Sequence, residues 1–94
     1  MEKWYPMFGY EGMYEVSNEG RVRSIDRRDG RGTFHKGKDI KLRIFDDEYR
    51  RGVFVRLTRG GRSRSLDLSY LIVNSVPEEE RESIGDIIER LMKG

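Results

Sequence analysis

Apolar and polar residues alternate along several short stretches of the first 68 residues, with the period of two that β-strands require. Glycine and asparagine separate these stretches, as in Asn18-Glu19-Gly20 and Gly60-Gly61, where they favour tight turns. The predicted strands are residues 13–17, 21–25, 40–44, 53–57 and 63–68. Together they predict an antiparallel meander of about five strands. Residues 26–38 have no period and are predicted to form a flexible loop.

The hydrophobic period changes near the C-terminus, where it predicts a helix. One apolar stripe repeats at spacings of three and four residues, and its members are Ile84, Ile87, Ile88, Leu91 and Met92. Ser75 followed by Pro77 and Glu78 fits a capping box, so we expect the helix over residues 78–94. Residues 68–73 fit either the last strand or a short helix, because so short a run has no decisive period.

These elements predict a single domain of the α+β class, in which a small antiparallel sheet is packed by a C-terminal α-helix. Residues 1–77 form the sheet module, and residues 78–94 form the acidic, amphipathic helix of the same domain. The apolar face of such a sheet needs a cover, so we expect the helix stripe to bury it. This favours a monomer, with a dimer through the C-terminal helix as the alternative.

Composition excludes several chemistries. The 94 residues include no cysteine and one histidine, His35, so neither a thiolate zinc site nor a His-based metal nuclease site is expected. Three acids, Asp46–Glu48, lie in a predicted turn and fit a solvated hairpin tip better than a cation site. No cofactor is expected. The longest apolar run is Leu71–Val73, and no signal-peptide pattern opens the chain, so we expect a cytoplasmic protein.

The formal net charge of +2 hides an uneven distribution. Residues 20–64 carry 15 Lys or Arg against six Asp or Glu, and 12 of those cations are arginine. The flanking segments, residues 1–19 and 65–94, are acidic. Arginine binds phosphates and base edges through paired N–H groups, so the middle segment predicts a surface for a polyanion. The alternative is a solvated surface on which about half of the cations pair with flanking acids.

A denser signal lies in the first 24 residues. It consists of Trp4, Gly9–Gly12, Tyr14–Asn18 and Gly20–Ser24, and this pattern resembles the NUMOD4 motif. That module stands at the N-terminus of many HNH homing endonucleases of phages and bacteria. Looser similarity to the family continues to about residue 77. The resemblance implies a DNA-binding accessory to a nuclease, with double-stranded DNA as the partner.

Candidate site residues follow from the resemblance and from the charge pattern. Carried over position by position, the resemblance implies that Asn18, Arg21, Arg23 and Ser24 face DNA. Arg21 and Arg23 share one side of a predicted strand, which agrees with such a face. From the rest of the basic segment, the charge pattern adds Arg27, Arg28, Lys41, Arg43, Arg56, Arg62 and Arg64.

The nuclease part of the family pattern is not recognisable in these residues. Ser69 stands where the family has a histidine, and its His- and Asn-rich metal signature does not follow. Cleavage needs a positioned base and a divalent-ion cage, so we expect a non-catalytic DNA-binding protein of phage or prophage type, derived from an HNH homing endonuclease. It would act inside the bacterial host cell. The alternative is a phage inhibitor or counter-defence protein that binds a host protein, either in its nucleic-acid channel or as a DNA mimic.

Overall fold

Eight short strands form three antiparallel sheets in the computed structural model, which describes residues 1–94. The first sheet contains β1 (Trp4–Pro6), β2 (Tyr14–Ser17) and β3 (Val22–Ser24). A two-stranded hairpin follows, with β4 (Arg27–Arg28) and β5 (Phe34–His35). The third sheet contains β6 (Leu42–Asp46), β7 (Arg51–Arg59) and β8 (Arg62–Asp67). Within each sheet the strands follow chain order.

The predicted α+β class is confirmed, but the strands do not form one meander. The five predicted strands correspond to β2, β3, β6, β7 and β8. β1, β4 and β5 are only two or three residues long, which is too short for a period to be visible in the sequence. The segment predicted as a flexible loop, residues 26–38, contains the β4–β5 hairpin.

Two helices follow the strands, α1 (Leu68–Ser75) and α2 (Ile84–Lys93), with a 3₁₀ turn (Glu78–Glu80) between them. Asp67 caps α1, since its carboxylate accepts a hydrogen bond from the Ser69 backbone N–H at 2.8 Å. The sequence pattern leaves this segment open between strand and helix, and the structure makes it helical.

The predicted start of the C-terminal helix is wrong. Ser83, and not Ser75, caps α2, and its hydroxyl accepts a hydrogen bond from a backbone N–H of the first turn at 3.2 Å. The Ser75 hydroxyl accepts a hydrogen bond from the Phe8 backbone instead. Pro77 has an extended backbone with ψ of 140°, and the acids after it form only the 3₁₀ turn. The capping side chain is therefore already engaged elsewhere at the position where the sequence predicts the helix to begin.

The core lies between the first sheet, β7 and the two helices. Its fully buried apolar side chains are Met7, Val16, Val22, Val53, Val55, Leu57, Leu68, Leu71, Ile72 and Ile87. Ile87 comes from α2, and the other stripe residues of that helix pack against the same core. The helix stripe thus covers the sheet, as the pattern predicts. Neither helix is long and apolar enough to cross a membrane.

Asp29 organises the β4–β5 hairpin. Its carboxylate accepts hydrogen bonds from the backbone N–H groups of Arg31 at 2.9 Å and Thr33 at 3.0 Å. One of its oxygens also lies 3.0 Å from the His35 ring nitrogen Nε2. These contacts, led by the hydrogen bond to His35, hold the pKa of the Asp29 carboxyl below its ordinary value.

We expect acid to loosen this hairpin. A carboxyl group with a depressed folded pKa stabilises the fold above the unfolded pKa of about 3.9, and this contribution is lost as the pH falls through the lower folded value. An NMR titration of the Asp29 carboxyl should therefore give a midpoint below that of an unfolded peptide, and the hairpin amide signals should follow it. In Asp29→Asn, which lacks this carboxyl, the hairpin amide signals should no longer show that titration. A midpoint at or above the unfolded value would contradict the prediction.

Candidate nucleic-acid interface

An extended segment, residues 38–41, joins the first sheet to the third. Its backbone pairs with β3, since the Ile40 N–H donates to the Val22 carbonyl and the Ser24 N–H donates to the Lys38 carbonyl, both at 2.9 Å. The chain then continues into β6, which pairs with β7. The two sheets are therefore connected through one run of extended backbone.

Side chains alternate along this segment and into β6, so it has one core side and one outward side. Ile40 and Leu42 pack against the core. Asp39, Lys41 and Arg43 lie on the outward side, and all three are exposed.

The register between β6 and β7 extends the outward side across the third sheet. Arg43 pairs with Phe54, Lys41 directly precedes β6, and Lys41, Arg43 and Arg56 line one shallow hollow. Phe45 lies on this side of β6 because it is two residues beyond Arg43. We call this surface the outer face, and its members are Lys41, Arg43, Phe45, Phe54 and Arg56.

The cations of the outer face have no acidic partners. Lys41, Arg43 and Arg56 are all exposed, and none of them forms an ion pair. Two carboxylates lie on this side: Asp39, which pairs with Arg21, and Asp67, which is opposite Phe54 and caps α1. Like charges on neighbouring strands oppose folding. The outer face therefore has an excess of positive charge that a bound anion would offset.

Two phenylalanine rings lie among these cations. Phe45 and Phe54 meet edge to face with their centroids 5.6 Å apart. The Arg50 guanidinium lies over Phe45, 3.7 Å from the ring centroid. The candidates chosen from the sequence omit these three residues, although alternation from Arg43 and Arg56 would have placed both rings on the same side. The outer face combines flat apolar surface with positive charge.

Arg21 and Arg23, which the resemblance assigns to the DNA face, are neutralised by neighbouring acids. Arg21 forms ion pairs with Glu2 at 2.9 Å and with Asp39 at 3.2 Å. Arg23 contacts Glu15 at 2.7 Å, and its guanidinium lies 3.9 Å from the centroid of the tryptophan ring. The positive charge of both arginines is therefore locally compensated by acids of the same chain.

Asn18 and Ser24, the other two residues carried over from the family, are bonded to the protein backbone. The Asn18 amide oxygen accepts from the Lys3 N–H at 2.9 Å, and its Nδ2 donates to the Glu80 carbonyl at 2.9 Å. The Ser24 hydroxyl accepts from the Lys38 N–H at 3.0 Å. Asn18 thus ties the N-terminal segment to the 3₁₀ turn, and Ser24 holds the segment that joins the two sheets.

Replacing Asn18 with alanine should lower the free energy of unfolding by about 1–3 kcal/mol, because the backbone groups of Met1, Lys3 and Glu80 lose their hydrogen-bond partner. Chemical denaturation of the purified variant measures this. Asn74→Ala is the matched control, since the Asn74 amide is exposed and bonds only within its own helix, to the Tyr70 carbonyl. If Asn18→Ala leaves stability unchanged and weakens DNA binding instead, the structural role is wrong.

The remaining predicted cations lie away from the outer face. Arg27 and Arg28 are in strand β4 of the short hairpin. Arg62 and Arg64 are in β8, where the register pairs Arg64 with Leu57 on the core side of the sheet. The fold therefore does not join these four residues to Lys41, Arg43 and Arg56.

The acidic turn between β6 and β7 is closed by its own side chains. The Asp47 carboxylate accepts from the N–H groups of Tyr49 and Arg50, both at 2.8 Å, while Asp46 pairs with Arg51 at 3.3 Å. The hydrogen bond from Arg50, followed by that from Tyr49, lowers the pKa of Asp47. No three His, Cys, Asp or Glu side chains lie close enough together to hold a metal ion.

These features define a small α+β domain with one basic sheet face, the outer face, whose cations form no ion pairs. The NUMOD4 motif model matches residues 2–55, and the chain belongs to the NUMOD4 family, which confirms the resemblance in the sequence. A curated relative, the DNA endonuclease I-HmuI of Bacillus phage SP01, is 34% identical over 70 residues. That alignment covers 74% of this chain and 33% of the relative, so the chain spans about a third of the relative's length. No solved structure matches the chain.

Proposed function

We propose that this chain is a DNA-binding module of phage or prophage type and that it binds double-stranded DNA through the outer face. The observation that carries the proposal is the set of three cations without ion-pair partners that line one hollow: Arg43 on β6, Arg56 on β7 and Lys41 directly before β6. Membership of the NUMOD4 family and similarity to a phage protein named as a DNA endonuclease support DNA as the polyanion.

The outer face suits contacts to the DNA backbone. Neighbouring strands are about 4.8 Å apart and residues two apart on a strand are about 7 Å apart, so Arg43 and Arg56 lie close together. Lys41 lines the same hollow directly before β6. Arginine binds a phosphate through two N–H groups, and release of condensed counterions from the DNA drives such binding. Phosphate contacts fix the orientation of the protein on the duplex and carry no sequence information directly.

Neutralising the outer face should remove most duplex binding. Lys41→Gln/Arg43→Gln/Arg56→Gln deletes three phosphate contacts, so the slope of log K against log salt concentration should fall in magnitude by about 2.7, at about 0.9 per contact. Affinity at low salt should fall by at least about ten-fold. Fluorescence anisotropy of a labelled duplex at several salt concentrations measures both quantities.

The control variant is Arg31→Gln/Lys36→Gln/Lys38→Gln. It removes the same charge from exposed residues that form no ion pair and lie outside the outer face. The slope of log K against log salt concentration should change much less in this control than in the outer-face variant. Equal losses in both triple variants would indicate general attraction to the basic segment and contradict a defined face. If the natural sequence does not bind duplex DNA even at low salt, a protein partner becomes the better proposal.

We also propose that this chain binds DNA without cleaving it. Metal-assisted cleavage needs a group of side chains that holds a divalent ion, and no three His, Cys, Asp or Glu side chains of the chain form one, which supports the proposal. Supercoiled plasmid should therefore stay intact during long incubation with Mg²⁺ or Mn²⁺. Nicking that persists through purification and disappears in His35→Ala would overturn the proposal.

A further inference from the structure

A cleft of about 500 Å³ lies between the N-terminal turn, the β7–β8 hairpin and helix α1. None of the five outer-face residues lines it, and Arg64 and Leu66 contribute to it from the core side of β8. Three aromatic rings and two guanidinium groups line it, and they belong to Phe8, Tyr10, Tyr70, Arg59 and Arg64. A pocket of this volume is large enough for a small organic ligand or part of a nucleic-acid chain.

The walls of the cleft are tied together by hydrogen bonds. The Tyr14 hydroxyl accepts from the Thr58 N–H at 3.1 Å and donates to the Thr58 carbonyl at 3.3 Å, which fixes the end of β7 to the first sheet. The Phe8 N–H donates to the Ser75 hydroxyl at 2.9 Å, which fixes the N-terminal turn to α1. The cleft is therefore held open by the fold before any ligand binds.

Two of the aromatic rings are exposed at the rim. The exposed fractions of Phe8 and Tyr70 are 46% and 52%, and their rings meet edge to face with centroids 6.2 Å apart. Tyr10 is buried at the base, where it packs edge to face against Tyr14 with centroids 5.8 Å apart. Exposed aromatic faces favour stacking with a flat partner, and every nucleobase has such a face.

The cleft is also positively charged. The Arg59 guanidinium donates to the Gly9 carbonyl and lies 5.2 Å from the Tyr10 ring centroid, so its position is fixed while other N–H groups stay available. Arg64 forms no ion pair. One carboxylate also lines the cleft, that of Asp67, and it accepts a hydrogen bond from the first turn of α1. Two guanidiniums against one engaged carboxylate favour an anionic ligand.

We propose that this cleft binds an unpaired nucleotide of a DNA strand, with the base stacked on Tyr70 beside Phe8 and the phosphate on Arg59 and Arg64. The inference rests on the proposed function and extends it, because the outer face then binds duplex DNA and the cleft binds a single-stranded segment. A flat apolar ring joined to a phosphate matches the two kinds of group that the cleft presents. An uncharged aromatic molecule would contact only the rings, and a bare phosphate would contact only the guanidinium groups.

The test uses the full chain and a short single strand that contains 2-aminopurine, whose fluorescence is quenched on stacking. Tyr70→Ala should weaken binding of this strand by about ten-fold and relieve the quenching. Tyr49→Ala is the matched control, because Tyr49 is 88% exposed in the β6–β7 turn and does not line the cleft. Both tyrosines are exposed, so neither variant removes a core side chain.

A second pair of variants tests the phosphate contact. Arg64→Gln should reduce the salt slope for the single strand by about 0.7, the value for one contact to a single strand. Arg31→Gln removes the same charge outside the cleft and should leave the slope nearly unchanged. Free deoxynucleotide monophosphate, added as competitor, should displace the strand only at far higher concentration, because the strand makes further backbone contacts.

The outcomes separate this inference from the proposed function. If duplex DNA binds through the outer face while Tyr70→Ala and Arg64→Gln leave single-strand binding unchanged, the cleft proposal is wrong and the duplex proposal stands. If the single strand binds through the cleft but duplex DNA does not bind, the cleft proposal stands alone. Competition by the free nucleotide at the same concentration as the strand would make the ligand a mononucleotide and overturn the assignment to DNA.

Discussion

Replacing Gly20 with alanine is expected to lower the free energy of unfolding by about 2–4 kcal/mol, from backbone strain and overpacking together. Gly20 is buried between β2 and β3 with φ of +88°, a conformation that residues with a Cβ rarely adopt. An added Cβ would lie 2.8 Å from Cδ1 of Leu91 and 3.0 Å from Cγ2 of Ile87. Leu91 can rotate away, but Ile87 is β-branched and fully buried. Chemical denaturation measures the loss.

Gly12→Ala separates the two causes. Gly12 has nearly the same backbone angle, with φ of +83°, but nothing lies within 4 Å of the position that its Cβ would occupy. It should therefore show only the conformational cost, about 1–2 kcal/mol. Equal losses for Gly12→Ala and Gly20→Ala would mean that contact with α2 contributes nothing at Gly20.

Truncating Ile87 to alanine is expected to cost about 2–5 kcal/mol, the range for removing a large aliphatic side chain from a packed core. Ile87 is the fully buried residue of α2 and belongs to the core cluster that includes residues of β7 and α1. A small domain has few such residues, so this loss is a large fraction of a total stability of about 5–15 kcal/mol. The unfolding transition by circular dichroism should shift accordingly. A negligible shift would mean that α2 is not part of the cooperative fold.

Val73→Ala is the control for that substitution, because Val73 is a helical aliphatic residue with 54% exposure in α1. Its stability should change by less than about 0.5 kcal/mol. The double variant Gly20→Ala/Ile87→Ala gives a further check. Alanine at position 87 lacks the methyl group that the new Cβ would meet, so the combined loss should be smaller than the sum of the two single losses.

The close approach of helix α2 to Gly20 explains one glycine of the NUMOD4 pattern. The sequence shows Gly20 only as the end of a turn after Asn18, where a left-handed backbone is expected. The structure adds a second requirement, because α2 lies directly against this turn. A residue more than sixty positions away in the chain therefore restricts position 20, and no local pattern could reveal that.

The candidate site was only partly predictable for a related reason. Alternation along 40–44 and 53–57 correctly assigns Lys41, Arg43 and Arg56 to one side of their strands. Whether an arginine keeps its charge free depends on its partners in space. Arg21 meets Glu2 and Asp39, which are 19 and 18 residues away, so its neutralisation follows from the pairing of the sheet and not from the residues around it.

The amino-acid sequence predicts the α+β class, five of the eight strands, the apolar stripe of the C-terminal helix, the basic middle segment and the family. These features depend on local periodicity, composition and a dense motif, all of which are contained in short stretches of chain. Long-range contacts set the division of the strands into three sheets, the capping of the last helix by Ser83, and the position of Arg62 and Arg64 away from the outer face. Those outcomes depend on which hydrogen-bond and ion-pair partners meet across long separations, where distant groups compete for the same donors, acceptors and charges.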